Sequence, residues 1–154
     1  MKILKIVGPL AVLLLVFLLF AAPIGPMPGV LIGGKPSEVP DSWGDTSNIH
    51  EISLEVTGIL PRVVIIWVVQ SDGDLYIVGA NDSGWVSMLG DGSSVKMRME
   101  GKTYPLNATL IKSDWEKAME AYVAKYRPDY PQIVAGFPSV EDAAGSIAVF
   151  RLSK

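Results

Sequence analysis

The N-terminal segment is the feature that most constrains the fold of this chain, because it is a long, uninterrupted apolar run. No side chain from Ile6 to Ala22 is charged or strongly polar. Together with the apolar residues just before it, the run reaches about the 20 residues that span a bilayer as a helix. Lys2 and Lys5 precede it, and basic residues favour the cytoplasmic side. We therefore expect residues 1–22 to form one transmembrane anchor, with the remainder extracytoplasmic, or periplasmic if the protein is bacterial.

A cleaved secretory signal is the alternative interpretation of this segment. A basic start, an apolar run and the small residues Ala21 and Ala22 fit that pattern too. Pro23 follows the small pair directly and makes a poor site for signal peptidase, and the chain has no cysteine for lipid attachment. The sequence thus favours a retained single-pass anchor, with membrane lipid as a partner.

Charge and residue types exclude several functions. Two of the thirteen basic residues lie in the anchor, so eleven basic residues face sixteen acidic ones in the rest, a net charge of about −5. We expect no nucleic-acid partner from this balance. The absence of cysteine rules out disulfides and thiolate sites, and His50, the one histidine, has no neighbouring motif. No metal site is expected.

The remaining chain divides into a linker and one domain. Residues 23–47 are rich in proline and glycine and predict a linker that lies over the membrane surface or over the domain. Residues 48–154 then form the globular domain, which is long enough for a single hydrophobic core.

The domain shows a succession of short strand patterns. Apolar and polar residues alternate, or apolar residues run continuously, between glycine- and aspartate-rich turns. SDGD at residues 71–74 and EGK at residues 100–102 predict two hairpins. The predicted strands are Ile52–Val56, Arg62–Gln70, Leu75–Gly79, Val95–Met99, Thr103–Ile111 and Ile147–Leu152.

One helix is predicted near the C-terminus. Ser113 followed by Glu116 forms a capping-box pattern, and apolar residues then recur at helical spacing until Pro128. Several strands with one such helix indicate a mainly β (α+β) fold, a small barrel with a C-terminal helix packed against it and the transmembrane helix before it.

Five sequence segments carry a resemblance to a known superfamily. They are VTG at 56–58, PR at 61–62, GAN at 79–81, WVSML at 85–89 and GKTYPLNATLI at 101–111. Together with the YRPDYPQ and IAVFRL segments that follow, they resemble the split-barrel flavin-binding (pyridoxamine-phosphate-oxidase-like) superfamily. Within it, the chain is most similar to the deazaflavin-dependent nitroreductase and quinone reductase family. The similarity extends over nearly the whole domain.

The resemblance implies a cofactor, FMN or a deazaflavin, and a set of contacts to it. Arg62 would meet the phosphate, Val64 and Ile66 would line the ring, and the segment after the second strand of the hairpin would cover the phosphate tail. That segment supplies Gly79, Ala80, Asn81, Ser83 and Trp85. Tyr126 and Tyr130 would close over the substrate as catalytic hydroxyls, and a homodimer would complete the site.

Two functions follow as hypotheses. The first is a membrane-anchored flavin- or deazaflavin-dependent oxidoreductase that reduces quinones or nitro-aromatics by hydride transfer, with a membrane quinone as a partner. The second is a non-catalytic split-barrel module for binding or assembly that has lost its cofactor. Short loops and the acidic Asp82 beside the implied phosphate site favour the second.

Overall fold

The structure, a computed structural model, describes residues 2–143 and 145–154; the side chains of residues 2–7, 17–20, 140 and 141 lie outside the description. Helix α1 (Lys2–Ala21) contains the apolar run. Counting only the residues that are described, no helix is long and apolar enough to cross a membrane.

Seven strands and four further helices follow α1 in the described residues. In chain order they are β1 (Lys35–Pro36), β2 (Glu51–Val56), β3 (Arg62–Ser71), β4 (Asp74–Ala80), α2 (Gly84–Leu89), β5 (Gly92–Met99), β6 (Lys102–Leu110), α3 (Glu116–Tyr126), α4 (Pro131–Ala135), α5 (Val140–Ala143) and β7 (Ile147–Ser153). Each predicted strand of the domain has its counterpart among these.

Six of the strands close into a barrel. The order is β6-β5-β2-β3-β4-β7, and β7 pairs again with β6, so that the sheet meets itself. These pairs are antiparallel throughout. Closure satisfies the backbone groups that an open sheet would expose at its edges. The predicted mainly β barrel with a helix against it is confirmed.

Both predicted hairpins have tight turns. Asp72 and Gly73 join β3 to β4, and Glu100 and Gly101 join β5 to β6. All four residues have positive φ, at 50°, 89°, 49° and 77°. Two consecutive positive φ values are typical of the two-residue turns whose twist matches that of the adjoining strands.

The hydrophobic residues form two layers on either side of β3. Alternate strand residues fill the barrel interior, and a second cluster lies outside the barrel, between β3 and α3. The outer cluster contains Val69, Tyr122, Tyr126 and Val134. A strand with buried residues on both faces explains the continuous apolar run of β3.

The predicted start of the long helix is wrong, and its predicted end is confirmed. Helix α3 begins at Glu116, and its N-cap is Trp115, which makes no side-chain cap hydrogen bond. Asp114 has a φ of 59°, a left-handed conformation that separates Ser113 from the helix. Ser113 therefore does not form the predicted capping box. The helix ends at Tyr126, ahead of Pro128, as expected.

The segment of residues 23–37, here called the strap, is held against the barrel. Gly29 exchanges two backbone hydrogen bonds of 2.8 Å with Val63 of β3. Farther on, Thr103 donates from its hydroxyl to the carbonyl of Gly33 at 2.6 Å, and Arg98 donates to the carbonyl of Ile32 at 2.8 Å. The strap thus connects α1 to the barrel by specific contacts.

Candidate functional site

Arg62, Ser83 and Gly84 meet at the end of the barrel where β3 begins and β4 ends; this end is called the α2 end. Arg62 is the first residue of β3, Ser83 is the N-cap residue of α2, and Gly84 is its first residue. A Cβ on Gly84 would lie 3.4 Å from Cζ of Arg62, so the guanidinium lies directly over the glycine. Sequence-distant residues are thus brought together by the β3–β4 pairing.

Two polar atoms in this cluster lack partners. Nε of Arg62 and Oγ of Ser83 are buried, and among the described residues they are the buried side-chain polar atoms without a hydrogen bond. Buried donors in proteins are nearly always paired, because an unpaired one loses its hydration without compensation. A guanidinium and a hydroxyl without a partner are donors of the kind that bind a phosphate or carboxylate.

Gly79 and Trp85 pack together in the barrel wall. Trp85 is 7% exposed, and its ring centroid lies 6.0 Å from that of Phe150 in the core. The indole occupies the space where Gly79 would carry a Cβ. Ala80 follows at the end of β4 and pairs with Ile147 of β7. The Trp85 ring is therefore part of the core, which supports the loop above it.

Substituting Gly79 tests this packing. We expect Gly79→Ala to lower the free energy of unfolding by about 1–3 kcal/mol, the usual cost of overpacking a core, because the new methyl group would overlap the Trp85 ring. Chemical denaturation measures the change. Ala80→Gly, at the exposed end of the same strand, is the neighbouring control and should cost less. An unchanged midpoint for Gly79→Ala would contradict the close contact.

Asn81 fixes the loop between β4 and α2. Its Nδ2 donates to the carbonyl of Gly145 at 2.8 Å, and its backbone N–H donates to that of Ser146 at 3.0 Å. Asn81 also lines a cleft of about 340 Å³ beside β7 with residues such as Trp115 and Lys112. Its side-chain amide thus anchors the loop that carries Ser83.

Val64 and Ile66 lie on the face of β3 that points into the barrel. Val64 belongs to the interior cluster and Ile66 packs against it. Arg62 is on the same face by the two-residue period of a strand, but at the rim of the barrel. The two predicted ring-lining residues therefore line the packed interior beneath Arg62.

Tyr126 lies in the second layer, with its hydroxyl held by backbone groups. The hydroxyl accepts a hydrogen bond from the Val68 N–H at 3.0 Å and lies 2.7 and 2.6 Å from the carbonyl oxygens of Val68 and His50. Its ring stacks on Trp67, with centroids 4.1 Å apart. Burial raises the pKa of Tyr126 above its ordinary value, so the phenol stays protonated.

Lys125 crosses the same layer and was not anticipated from the sequence. Its ammonium donates to the carbonyls of Thr46, Ile49 and Val68 at 3.0, 2.7 and 2.9 Å. Burial lowers the pKa of Lys125, and Asp45 nearby acts in the opposite direction. Helical position alone indicates a surface lysine, so only the fold reveals that it ties the segment before β2 to β3.

Tyr130 stands at the open side of this aromatic layer. It is partly exposed, and its ring centroid lies 4.8 Å from that of Trp67 and 5.9 Å from that of His50. Nε2 of His50 is 3.4 Å from a carboxylate oxygen of Asp129. A stacked aromatic surface with a partly exposed tyrosine and an imidazole can contact a planar ligand.

The structure divides the predicted site residues into two groups. Arg62 lies at the α2 end and on the inner face of β3. Trp67 lies five residues farther along on the outer face, where its ring contacts Tyr126 and Tyr130; these aromatic residues are called the tyrosine layer. Five residues of strand extend roughly 17 Å. Within one chain the implied phosphate contact and the implied catalytic tyrosines are therefore separate.

No family model matches the chain, and no curated protein matches it. Similar solved structures include HutZ, the heme storage protein from Vibrio cholerae, with 16% identity and a TM-score of 0.48, covering 70% of this chain and 83% of that one. A NimC/NimA family protein from Clostridium acetobutylicum has 22% identity and a TM-score of 0.46, covering 66% and 70%. The FAD and heme binding protein from Mycobacterium smegmatis has 15% identity and a TM-score of 0.49, covering 70% and 62%.

These neighbours concern the fold only. The identities are at most 22% and each TM-score is below 0.5, so these similarities carry no argument about the superfamily of this chain. At such identities nothing about the activity of this chain follows from them.

Proposed function

We propose that this chain binds a phosphate-bearing flavin-type cofactor at the α2 end of its barrel and acts as a membrane-anchored oxidoreductase. FMN or a deazaflavin would be the cofactor, and quinones or nitro-aromatics the substrates. When bound, such a cofactor supplies the hydride-transfer chemistry, and the protein positions it and the substrate.

The observation that carries this proposal is the pair of unpartnered buried donors, Arg62 Nε and Ser83 Oγ. A phosphate bound there would give both groups a partner, and the absence of a side chain on Gly84 leaves room for the guanidinium over the first turn of α2. Arginine offers two parallel N–H groups to a phosphate and keeps its charge at every physiological pH.

The residues at this end of the barrel have the charge and the hydrogen-bond donors that a phosphate requires. Arg62 would neutralise it, Ser83 would donate to it, and Asn81 would hold the loop in place through its bond to Gly145. Asp82, exposed in the same loop, opposes an anion at short range, and solvent reduces that repulsion.

The tyrosine layer supplies the second part of the proposal. Tyr130 is partly exposed, and a phenol can donate a hydrogen bond to an oxygen gaining charge in a quinone or nitro group. Because Tyr130 is remote from Arg62 within one chain, we propose that the two groups meet across a homodimer.

The test compares matched ligands. Full-length protein in detergent is titrated with FMN and with riboflavin, which differ only in the phosphate, and binding is followed by the quenching of flavin fluorescence. We expect FMN to bind at least about tenfold more tightly, since charge-assisted hydrogen bonds to a phosphate contribute about 1.5–3 kcal/mol. Equal affinities would contradict the phosphate site. A deazaflavin carrying phosphate is titrated in the same way.

Turnover is measured separately. The better-binding cofactor is reduced chemically while bound to the protein. We then expect the bound cofactor to be oxidised when a quinone or a nitro-aromatic compound is added. Cofactor binding without any such oxidation would remove the oxidoreductase half of the proposal and leave a binding protein.

A second candidate is a cofactor-free barrel that serves as a binding or assembly module. The observation favouring it is that the hydroxyl of Tyr126, one of the two implied catalytic groups, is fully occupied by the backbone of β3 and His50. Failure to bind any flavin or deazaflavin would select this candidate.

A further inference from the structure

The loop that joins β2 to β3 exposes an unusual amount of apolar surface. At its tip Ile59 is fully exposed and Leu60 is 74% exposed. Met88 of α2 is also partly exposed and lies against this loop, since a Cβ on Gly58 would come within 2.9 Å of its methyl group. Residues 57–61, TGILP, include no charged side chain. We call Ile59, Leu60 and Met88 the apolar tip.

The end of α1 lies close to this tip because the strap connects the two. The backbone N–H groups of Val30 and Leu31 donate to the carbonyl of Ala21, the last residue of α1, at 2.9 and 2.8 Å. Gly29, just before them, is paired with Val63 at the start of β3. Four residues of extended chain separate Val63 from Ile59, at most about 14 Å.

Gly29 lies in direct contact with the backbone at the exit of α1. A Cβ at this position would fall within 2.8 Å of the Ala21 carbonyl oxygen and against the backbone of Ala22 and Pro23. Gly29 therefore contacts both the backbone of β3 and the exit of α1. Such contact holds the barrel at a defined orientation relative to the end of α1.

Further apolar side chains surround the exit of α1. Ile24 and Met27 face each other across a small turn, joined by backbone hydrogen bonds of 3.1 and 3.0 Å, and each is about half exposed. Leu31 is exposed a few residues later. The exposed apolar residues of the strap and of the tip thus lie at the same end of the molecule as the exit of the apolar helix.

We propose that the apolar tip is a second membrane contact, and that the barrel rests on the bilayer with its α2 end toward the lipid. The proposal rests on membrane anchoring by α1, which identifies the occupant of this surface as lipid. Exposed apolar patches of this kind mark interaction sites, and transfer of such side chains from water into the bilayer interface is favourable.

This orientation has a consequence for the candidate site. Arg62 and Ser83 lie at the α2 end, so their cluster would lie near the bilayer surface.

The absence of native cysteine allows a direct test with single-cysteine variants. Leu60→Cys is labelled with an environment-sensitive fluorophore, and full-length protein is reconstituted into phosphatidylcholine vesicles. The control is Asp74→Cys, half-exposed at the opposite end of the barrel, about 30 Å away along β3. Quenchers attached to lipid chains and iodide in the buffer then report lipid and water around each probe.

We expect a blue shift and strong quenching by the lipid-borne quencher at position 60, together with protection from iodide. The probe at position 74 should show iodide quenching alone. Equal iodide quenching at both positions would overturn the proposal. Protection from iodide at position 60 without lipid quenching would also overturn it, because it would indicate a second protein copy on the tip. Failure of the protein to associate with vesicles would overturn it as well. None of these readouts requires a bound cofactor, so they are independent of the proposed chemistry.

Discussion

Replacing Arg62 with glutamine is expected to lower the affinity for FMN by roughly ten- to a hundredfold while leaving riboflavin binding almost unchanged. The guanidinium would contribute charge-assisted hydrogen bonds to the phosphate, worth about 1.5–3 kcal/mol, and about 1.4 kcal/mol corresponds to a factor of ten. Glutamine keeps polarity and much of the length but removes the charge and the paired donors.

The location of Arg62 allows clean controls for this result. Arg62 is at the barrel rim and makes no ion pair among the described residues, so its loss should leave the fold intact. Arg127→Gln removes an exposed arginine beyond the end of α3 and should leave FMN binding unchanged. Ser83→Ala, which removes a neutral donor, should weaken FMN binding by a smaller factor. Equal losses for FMN and riboflavin in Arg62→Gln would show that the residue acts through the structure and not through the phosphate.

Tyr126→Phe is expected to lower the free energy of unfolding by about 1–3 kcal/mol. The hydroxyl is fully buried and accepts from the Val68 N–H, so its removal leaves that donor buried without a partner, and His50 loses a donor to its carbonyl. A buried group left unsatisfied costs about 1–3 kcal/mol. Phenylalanine preserves the ring that stacks on Trp67, which isolates the effect of the hydroxyl.

Tyr130→Phe is the matched control. Its hydroxyl makes no hydrogen bond to the described part of the chain, and its side chain is partly exposed. The thermal midpoint should therefore remain within a few degrees of wild type. If the proposed reduction takes place, this variant should lose at least about tenfold in turnover, or roughly 1.4 kcal/mol of transition-state stabilisation. Equal stability of Tyr126→Phe and wild type would contradict the claim that the Tyr126 hydroxyl is a required hydrogen-bond partner of the Val68 N–H.

The strand framework was predictable because it depends on local patterns. Glycine at the second position of each turn, Gly73 and Gly101, favours the positive φ values that the turns adopt, and the alternation in β5 assigns Val95, Met97 and Met99 to the interior. Pro128 also marks the end of α3, since proline cannot continue a helix.

The features that the sequence did not reveal depend on contacts between distant segments. Ser113 matches a capping pattern, yet the left-handed conformation of Asp114 separates it from the start of the helix. Trp85 fills the space over Gly79, and the hydroxyl of Tyr126 bonds to β3, and neither contact follows from a local pattern. Large aromatic residues suit both a core and a binding site, and only their neighbours distinguish the two.

The proximity of Arg62 to Ser83 and Gly84 was likewise implied only by family resemblance. Arg62 and Ser83 are 21 positions apart, and the β3–β4 hairpin returns the chain so that the start of α2 lies beside the first residue of β3. The absence of partners for both side chains is a property of the folded chain that no local pattern encodes.

The central claim, a phosphate bound by the unpartnered Nε of Arg62, can be tested most directly by nitrogen-15 NMR of the arginine Nε–H groups. The Arg62 resonance is assigned by its disappearance in Arg62→Gln. The account predicts that FMN shifts this resonance downfield and slows its exchange with water, whereas riboflavin leaves it in place. An Arg62 Nε–H resonance that does not respond to saturating FMN would contradict the account.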